Sequence, residues 1–308
     1  MRTSDQTQSN PFHEGERAAQ LLAGVVRQGA PIRPYMPAQH REFFAGLSYL
    51  PAAVLDAQAR PVATLLSGAP GFVASPDDTT LSIAANAADD DPFAAALRPG
   101  AAMAVLGIDL ATRRRNRANG RIIALPAGEI VLKVAESFGN CPQYIQARPV
   151  APIVRDAAAV EHLPALDAAA RAQIGAADTV FIATVAPRGM DISHRGGRPG
   201  FVRLEGARLS VPDFAGNRYF NTLGNLLLDP RAALLFVDFA SGDLLHVSGR
   251  VEIDWAPAAF EGAERVWHLD IAAAWRRRTA VPLRWGAAQP APTTLQTGVW
   301  PAYDSHTA

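Results

Sequence analysis

Short apolar runs separated by turn residues recur along this chain, the pattern of closely spaced β-strands. In the C-terminal half the runs are Thr179–Val185, Phe201–Leu204, Arg208–Val211, Ala233–Phe239 and Leu244–Ile253. Ser241-Gly242-Asp243 lies between the last two and predicts a hairpin. Asn221–Leu228 (NTLGNLLL), ahead of Asp229-Pro230, predicts a short helix laid across the strands. Glu14–Arg27 and Pro257–Arg277 carry helical periodicity. Many strands with few helices predict a mainly β fold with flanking helices (α+β), a small barrel rather than a parallel nucleotide-binding sheet.

The chain also repeats itself. At an offset of 129 residues, Ala52–Val73 aligns without a gap on Phe181–Val202, both ending in Pro-Gly-Phe-Val. In the same register Ala104–Ile122 aligns on Ala233–Val251. Two separated windows in one register predict two copies of one fold. The expected organisation is an N-terminal helical segment (1–44), a first barrel (45–150), a linker (151–171), a second barrel with a C-terminal helix (172–285) and a tail (286–308).

Composition narrows the setting. The 308 residues suffice for two cores, and 29 basic against 29 acidic residues remove any general attraction to nucleic acid or an anionic membrane. A lone Cys141 cannot form an intrachain disulfide, and the first 50 residues hold no apolar run of signal or membrane-span length, so a cytoplasmic protein is expected. No dinucleotide fingerprint, phosphate-binding P-loop, nucleophile elbow or zinc-protease motif occurs, and the seven histidines lack metal-ligand spacing, so no metal is expected.

Candidate chemistry gathers in two places. In the second copy Ser193-His194-Arg195-Gly196-Gly197, Val211-Pro212-Asp213 and Gly216–Asn225 join glycines to hydrogen-bonding and cationic side chains, which allows close approach to an anionic ligand. Asn221 and Thr222 start the expected short helix, where unpaired N–H groups favour an anion; helix caps and a tight Gly-Gly turn explain the same residues without a ligand. In the first copy Arg113-Arg114-Arg115-Asn116-Arg117 stands where the second has Gly242-Asp243-Leu244-Leu245-His246. If extended, that stretch puts Arg113, Arg115 and Arg117 on one face, either as a solvated edge or reaching across to a phosphate. Cys141 before Pro142 predicts a helix start there. Arg276–Arg278 would favour the C-terminus of the helix expected at 257–277, and Trp285 is a candidate to stack on a bound ring.

The strings Ser-His-Arg-Gly-Gly-x-Pro-Gly-Phe, Pro-Asp-x-x-Gly-Asn and Asn-Thr-Leu-Gly-Asn-Leu within Asp191–Trp255 resemble the pyridoxamine 5′-phosphate oxidase-related flavin-nucleotide-binding proteins. The resemblance runs on, less sharply, through Gly107-Ile108-Asp109, Arg113–Arg117 and Asn140–Ile145. It implies two tandem FMN-binding split β-barrels forming a pseudo-dimer, with FMN at the barrel–barrel interface. On that reading Ser193, Arg195, Asn217, Arg218, Asn221 and Thr222 would hold the ribityl phosphate, His194 and Asn225 would also contact the cofactor, and Arg115 and Arg117 would hold the FMN phosphate or a substrate anion. Val211, Pro212 and Asp213 would follow the ring edge, with Cys141 and Gln143 near the flavin. The expected function is an FMN-dependent oxidoreductase acting on a small-molecule substrate or electron acceptor, fed by NADH, NADPH or a partner reductase, and paired as a homodimer. A flavin carrier or sensor without its own substrate, and an interaction barrel with a decayed flavin site, are the alternatives. No residue is singled out as a catalytic acid or base. The Arg-Leu-x-Pro ending of the true oxidases is not found, which argues against vitamin B6 oxidation.

Overall fold

The computed structural model describes residues 10–85, 90–257 and 260–301; the outer parts of the expected terminal segments (1–9 and 302–308) lie outside the described residues. The first half runs α1 (Glu14–Leu22), α2 (Ala38–Ala45), β1 (Tyr49–Leu55), β2 (Pro61–Ser67), β3 (Val73–Ala74), β4 (Thr80–Ile83), α3 (Pro92–Ala96), β5 (Ala102–Asp109), β6 (Arg114–Ala124) and β7 (Ile130–Gly139). β8 (Val150–Pro152), β9 (Val160–Leu163) and α4 (Ala168–Ala176) lead into the second half. There follow β10 (Thr179–Ala186), β11 (Gly189–Gly196), β12 (Arg203–Glu205), β13 (Arg208–Phe214), α5 (Asn221–Leu228), β14 (Arg231–Val237), β15 (Leu244–Asp254), β16 (Ala263–Arg277) and β17 (Leu283–Trp285).

The two main sheets have the same antiparallel strand order, β2-β1-β5-β6-β7-β4-β3 and β11-β10-β14-β15-β16-β13-β12. An offset of 129 lays β1–β6 over β10–β15, α2 over α4 and α3 over the start of α5. Even the irregularities coincide, since the ladders bulge at Asn119/Gly120 and at Ser248/Gly249. Glycine is required at both bulges: a Cβ on Gly120 would sit 1.9 Å from the Lys133 carbonyl oxygen, and one on Gly249 1.9 Å from that of Asp270.

Each sheet curls around its own core, Leu50, Val54, Leu81, Phe93 and Leu132 in the first split barrel and Ile182, Leu209, Leu234 and Trp267 in the second. A third apolar layer lies between the barrels, joining Ala53, Leu106 and Ile108 to Phe181, Ile192 and Leu235. This double burial explains the unbroken apolar runs of β1 and β10: alternate residues face the barrel core and the other barrel.

Three expectations need correction. Where a helix was expected over 257–277, residues 263–277 form the strand β16, paired with β15, β13 and β9, and 258–259 lie outside the described residues. Trp267 and Leu269 point inward while Asp270 is exposed, so a period of two was hidden beneath an alanine-rich helical pattern, and cross-strand pairing overrode local preference. Arg276 therefore caps no helix; its guanidinium reaches Glu161 at 2.7 Å and Asp167 at 2.7 Å. The first helix stops at Leu22 rather than Arg27, because Gly24 turns the chain with φ 65°. The expected linker 151–171 is not free chain: it supplies β9 to the second sheet and contains the start of α4. No described helix is long and apolar enough to cross a membrane.

Candidate functional site

A cleft opens where β6 of the first barrel meets β11, β13 and the N-terminus of α5 in the second. It is lined by Arg115 and Arg117 from one side and by Ser193, His194, Arg195, Pro212, Asp213 and Thr222 from the other. Gln143, Asn217, Arg218 and Asn221 complete its wall, so the structure brings together most of the residues expected there.

Arg117 is the centre of the arrangement and is only 7% exposed. Its Nε donates to the Ile192 carbonyl at 3.1 Å, and Nη1 donates to Asn221 Oδ1 at 3.2 Å. Nη2 donates to Ser193 Oγ, and Asp191 Oδ1 lies 3.1 Å from Nε as the counter-charge. Thr222 Oγ1 donates to Ser193 Oγ at 2.8 Å, which in turn donates to Asp191 at 3.0 Å. Among the described residues Arg115 has no such acid. Its Nε donates to the Cys141 carbonyl at 2.7 Å and Nη1 to His194 Nδ1 at 3.0 Å. Desolvation, then repulsion from Arg117, pulls the Arg115 pKa from 12.5 down to about 9. A guanidinium so placed is an uncompensated cation, and an anion in the cleft would reverse that shift.

The helix N-terminus adds to the same field. Phe220, the N-cap of α5, is left-handed (φ 62°) and has no side-chain cap, so the first N–H groups of the helix have no capping acceptor. His194 is held neutral, its pKa well below 6.5 through burial and then the Arg115 charge. Because its Nδ1 accepts from a guanidinium, the proton sits on Nε2, which has no partner among the described residues. Across the cleft, Asp213 is clamped between Arg195 (2.6 Å) and Arg265 (3.0 Å), which fixes that wall. Gly196 is needed for close approach, since a Cβ there would meet the Tyr144 carbonyl oxygen at 2.0 Å.

Three expected residues stand elsewhere, and Cys141 borders the cleft without lining it. Val211 is fully buried in the core of the second barrel. Asn225 lies a turn further along α5, hydrogen-bonded to His13 (2.9 Å) and Thr184 (3.0 Å). Trp285 packs edge-on between Tyr49 and Phe239, with ring centroids 5.3 and 5.2 Å away, and lines a different cavity with Arg148 and Asp178. Cys141 starts no helix; its chain is irregular, its carbonyl accepts from Arg115, and its thiol lies 3.2 Å from Gln143 Oε1. Arg265 went unnoticed because its segment read as helix. Asp191 left a usable signal: two positions before Ser193 on a strand, it lies on the same face.

A second cavity of about 560 Å³ lies behind α5 and shares Asn221 with the cleft. Its wall includes His13 and Glu16 of the α1 turn, Glu136 and Asp191. Glu16 accepts from Asn221 Nδ2, and burial raises its pKa from 4.5 to about 7. Among the described residues, no group of three or more His, Cys, Asp or Glu is arranged to hold a metal ion.

A model of the pyridoxamine 5′-phosphate oxidase family matches residues 166–284. Solved structures similar to parts of the chain include HupZ of Group A Streptococcus, 15% identical over 35% of this chain and 91% of its own, with a TM-score of 0.30. A FAD-binding protein of Mesorhizobium loti is 14% identical over 39% of this chain and 97% of its own, with a TM-score of 0.28. A pyridoxamine 5′-phosphate oxidase-related, FMN-binding protein of Nostoc punctiforme is 11% identical over 37% and 86%, with a TM-score of 0.25. No curated protein matches the chain. The stretch that matches the pyridoxamine 5′-phosphate oxidase family, residues 166–284, is the one that carries Ser193, Arg195 and Thr222 into the cleft.

Proposed function

We propose that the cleft holds FMN and that the protein is an FMN-dependent oxidoreductase acting on a small molecule. The observation that carries this reading is the convergence of Arg115 and Arg117 from one barrel with Ser193, Thr222 and the uncapped start of α5 from the other. A phosphate monoester fits that set. It brings the negative charge that Arg115 lacks, and its oxygens can accept from guanidinium, hydroxyl and helix N–H groups at once. Pro212 and Asp213 offer an edge for the flavin ring, and the unpaired His194 Nε2 is a further donor.

When bound, FMN supplies the hydride- or electron-transferring centre. The protein's own part is to position it. Arg117 ties the two barrels together and would hold the phosphate, and the Asp213 clamp keeps Arg195 and Arg265 from collapsing into the cleft. His194 stays neutral and passes no proton near neutral pH, so no acid–base step is assigned to it.

The test is direct. Purified protein should be yellow, release FMN on denaturation, and lose that colour in Arg117→Ala. A colourless protein that takes up no added FMN overturns the proposal. With FMN bound, bleaching by NADH or NADPH followed by reoxidation with candidate acceptors separates an enzyme from a carrier.

A further inference from the structure

A site built across the interface between two copies of one fold exists twice, once on each side of the approximate twofold axis. The cleft described above uses β6 of the first barrel with β11 and α5 of the second. Its sister must use β15 of the second barrel with β2 and α3 of the first, each position displaced by 129 residues. We infer that the chain holds a single flavin nucleotide, because the sister site has been rebuilt as a packed structural core. The inference rests on the flavin reading above.

The sister lacks the cleft's arginines at their counterpart positions. Arg115 and Arg117 become Leu244 and His246, and Arg195 becomes Leu66. His246 keeps the backbone contact without the charge. It hydrogen-bonds the Ala63 backbone, the counterpart of Ile192 to which Arg117 donates, and burial lowers its pKa to about 3, so it is neutral. Its ring stacks face to face on Trp275, centroids 4.8 Å apart and planes 10° apart. In the cleft, the strand neighbour of Arg117 is Phe138, whose ring lies 5.3 Å from the guanidinium carbon, and the charge is kept at the cleft wall.

The sister also has no free helix start. Where α5 begins with an uncapped Phe220, α3 begins with Asp91, whose carboxylate accepts from Phe93 N at 2.8 Å. That places a buried acid, 4% exposed, where a phosphate would need N–H donors. Phe93 itself replaces Thr222, is fully buried and joins Leu66 and Trp275 in the first core.

Counting flavin tests this. Protein saturated with FMN, freed of excess and denatured, should release one FMN per chain, and calorimetric titration of the apoprotein should show one site. Two per chain overturns the single-site inference while leaving the flavin reading intact; none overturns the flavin reading itself. Counterpart substitutions sharpen the result. Arg117→Ala, or the milder Thr222→Val, should weaken FMN binding at least tenfold. His246→Gln should leave one FMN at unchanged affinity while lowering the melting temperature. A loss of half the bound flavin in either counterpart would show two working sites.

Discussion

Replacing Arg117 by Ala separates what this side chain does for the fold from what it does for a ligand. In the apoprotein Arg117 bridges the barrels through the Ile192 carbonyl and neutralises Asp191, which is 3% exposed. Removing one member of a buried ion pair costs about 3–5 kcal/mol because the other charge is left without its partner. Here the lower end applies, since Asp191 keeps the hydrogen bond from Ser193 at 3.0 Å, and the mutual repulsion of Arg115 and Arg117 is relieved. For FMN, one guanidinium making two charge-assisted contacts to a phosphate contributes about 3 kcal/mol, a loss of roughly 150-fold in affinity. The double variant Arg117→Ala/Asp191→Asn decides between the roles: the stranded charge is gone, so thermal stability should recover, yet the flavin phosphate still lacks one of its two cations. Thermal denaturation and quenching of FMN fluorescence read the two effects in the same samples. An affinity within threefold of wild type in either folded variant, or one restored by Asp191→Asn, would refute the assignment of Arg117 to the phosphate.

Other expectations follow from the same contacts. Riboflavin, which lacks the phosphate, should bind at least about 100-fold more weakly than FMN, as measured by fluorescence titration at fixed salt. Glu16 has a folded pKa raised to about 7, so the folded chain holds a proton there that the unfolded chain releases near pH 4.5. Its contribution is present in full below pH 4.5 and is lost as pH rises through about 7, by up to about 3 kcal/mol. Urea titrations of wild type and Glu16→Gln from pH 5 to pH 8 should therefore diverge, with the variant's slope flatter. Gly224→Ala should destabilise by about 1–3 kcal/mol, because the new Cβ would lie 2.6 Å from Glu16 Cα and force α1 away from α5. Faster proteolytic cleavage near Gly24 than in wild type would check that displacement.

How much of this was legible in the sequence depended on whether the cause was local. Asn221–Leu228 was readable as a helix because its apolar content and the following Asp229-Pro230 are local signals, and the structure gives the same bounds. β16 was not readable. Its alanines suit a helix, and only pairing with β15, β13 and β9, from three distant parts of the chain, holds it extended. The cleft divides the same way. Ser193, Arg195 and Thr222 stood out by motif, whereas Arg265 became part of the site only through the cross-strand pairing of Asp213 with Arg265. Trp285 shows the opposite error: its large aromatic ring suggested stacking on a ligand, but the interface between the barrels uses it as filling between Tyr49 and Phe239.

Joining two barrels in one chain changes what substitution can do. In a symmetric dimer, His for Arg at the position of Arg117 would alter both clefts together, and a ring filling one would fill both. With the copies covalently linked, the position exists as Arg117 and separately as His246, free to differ. The difference has an energetic logic. A phosphate site keeps uncompensated cations and uncapped N–H groups buried in the apoprotein, which disfavours folding. Converting the sister into the stacked His246–Trp275 pair, with Asp91 capping α3, removes that cost on one side and adds apolar burial that steadies the shared interface. The arginine-rich start of β6 is thus the functional half of a pair whose other half has become core. A neutral total charge conceals that division, because the cations of one cleft are balanced by acids spread over the whole chain.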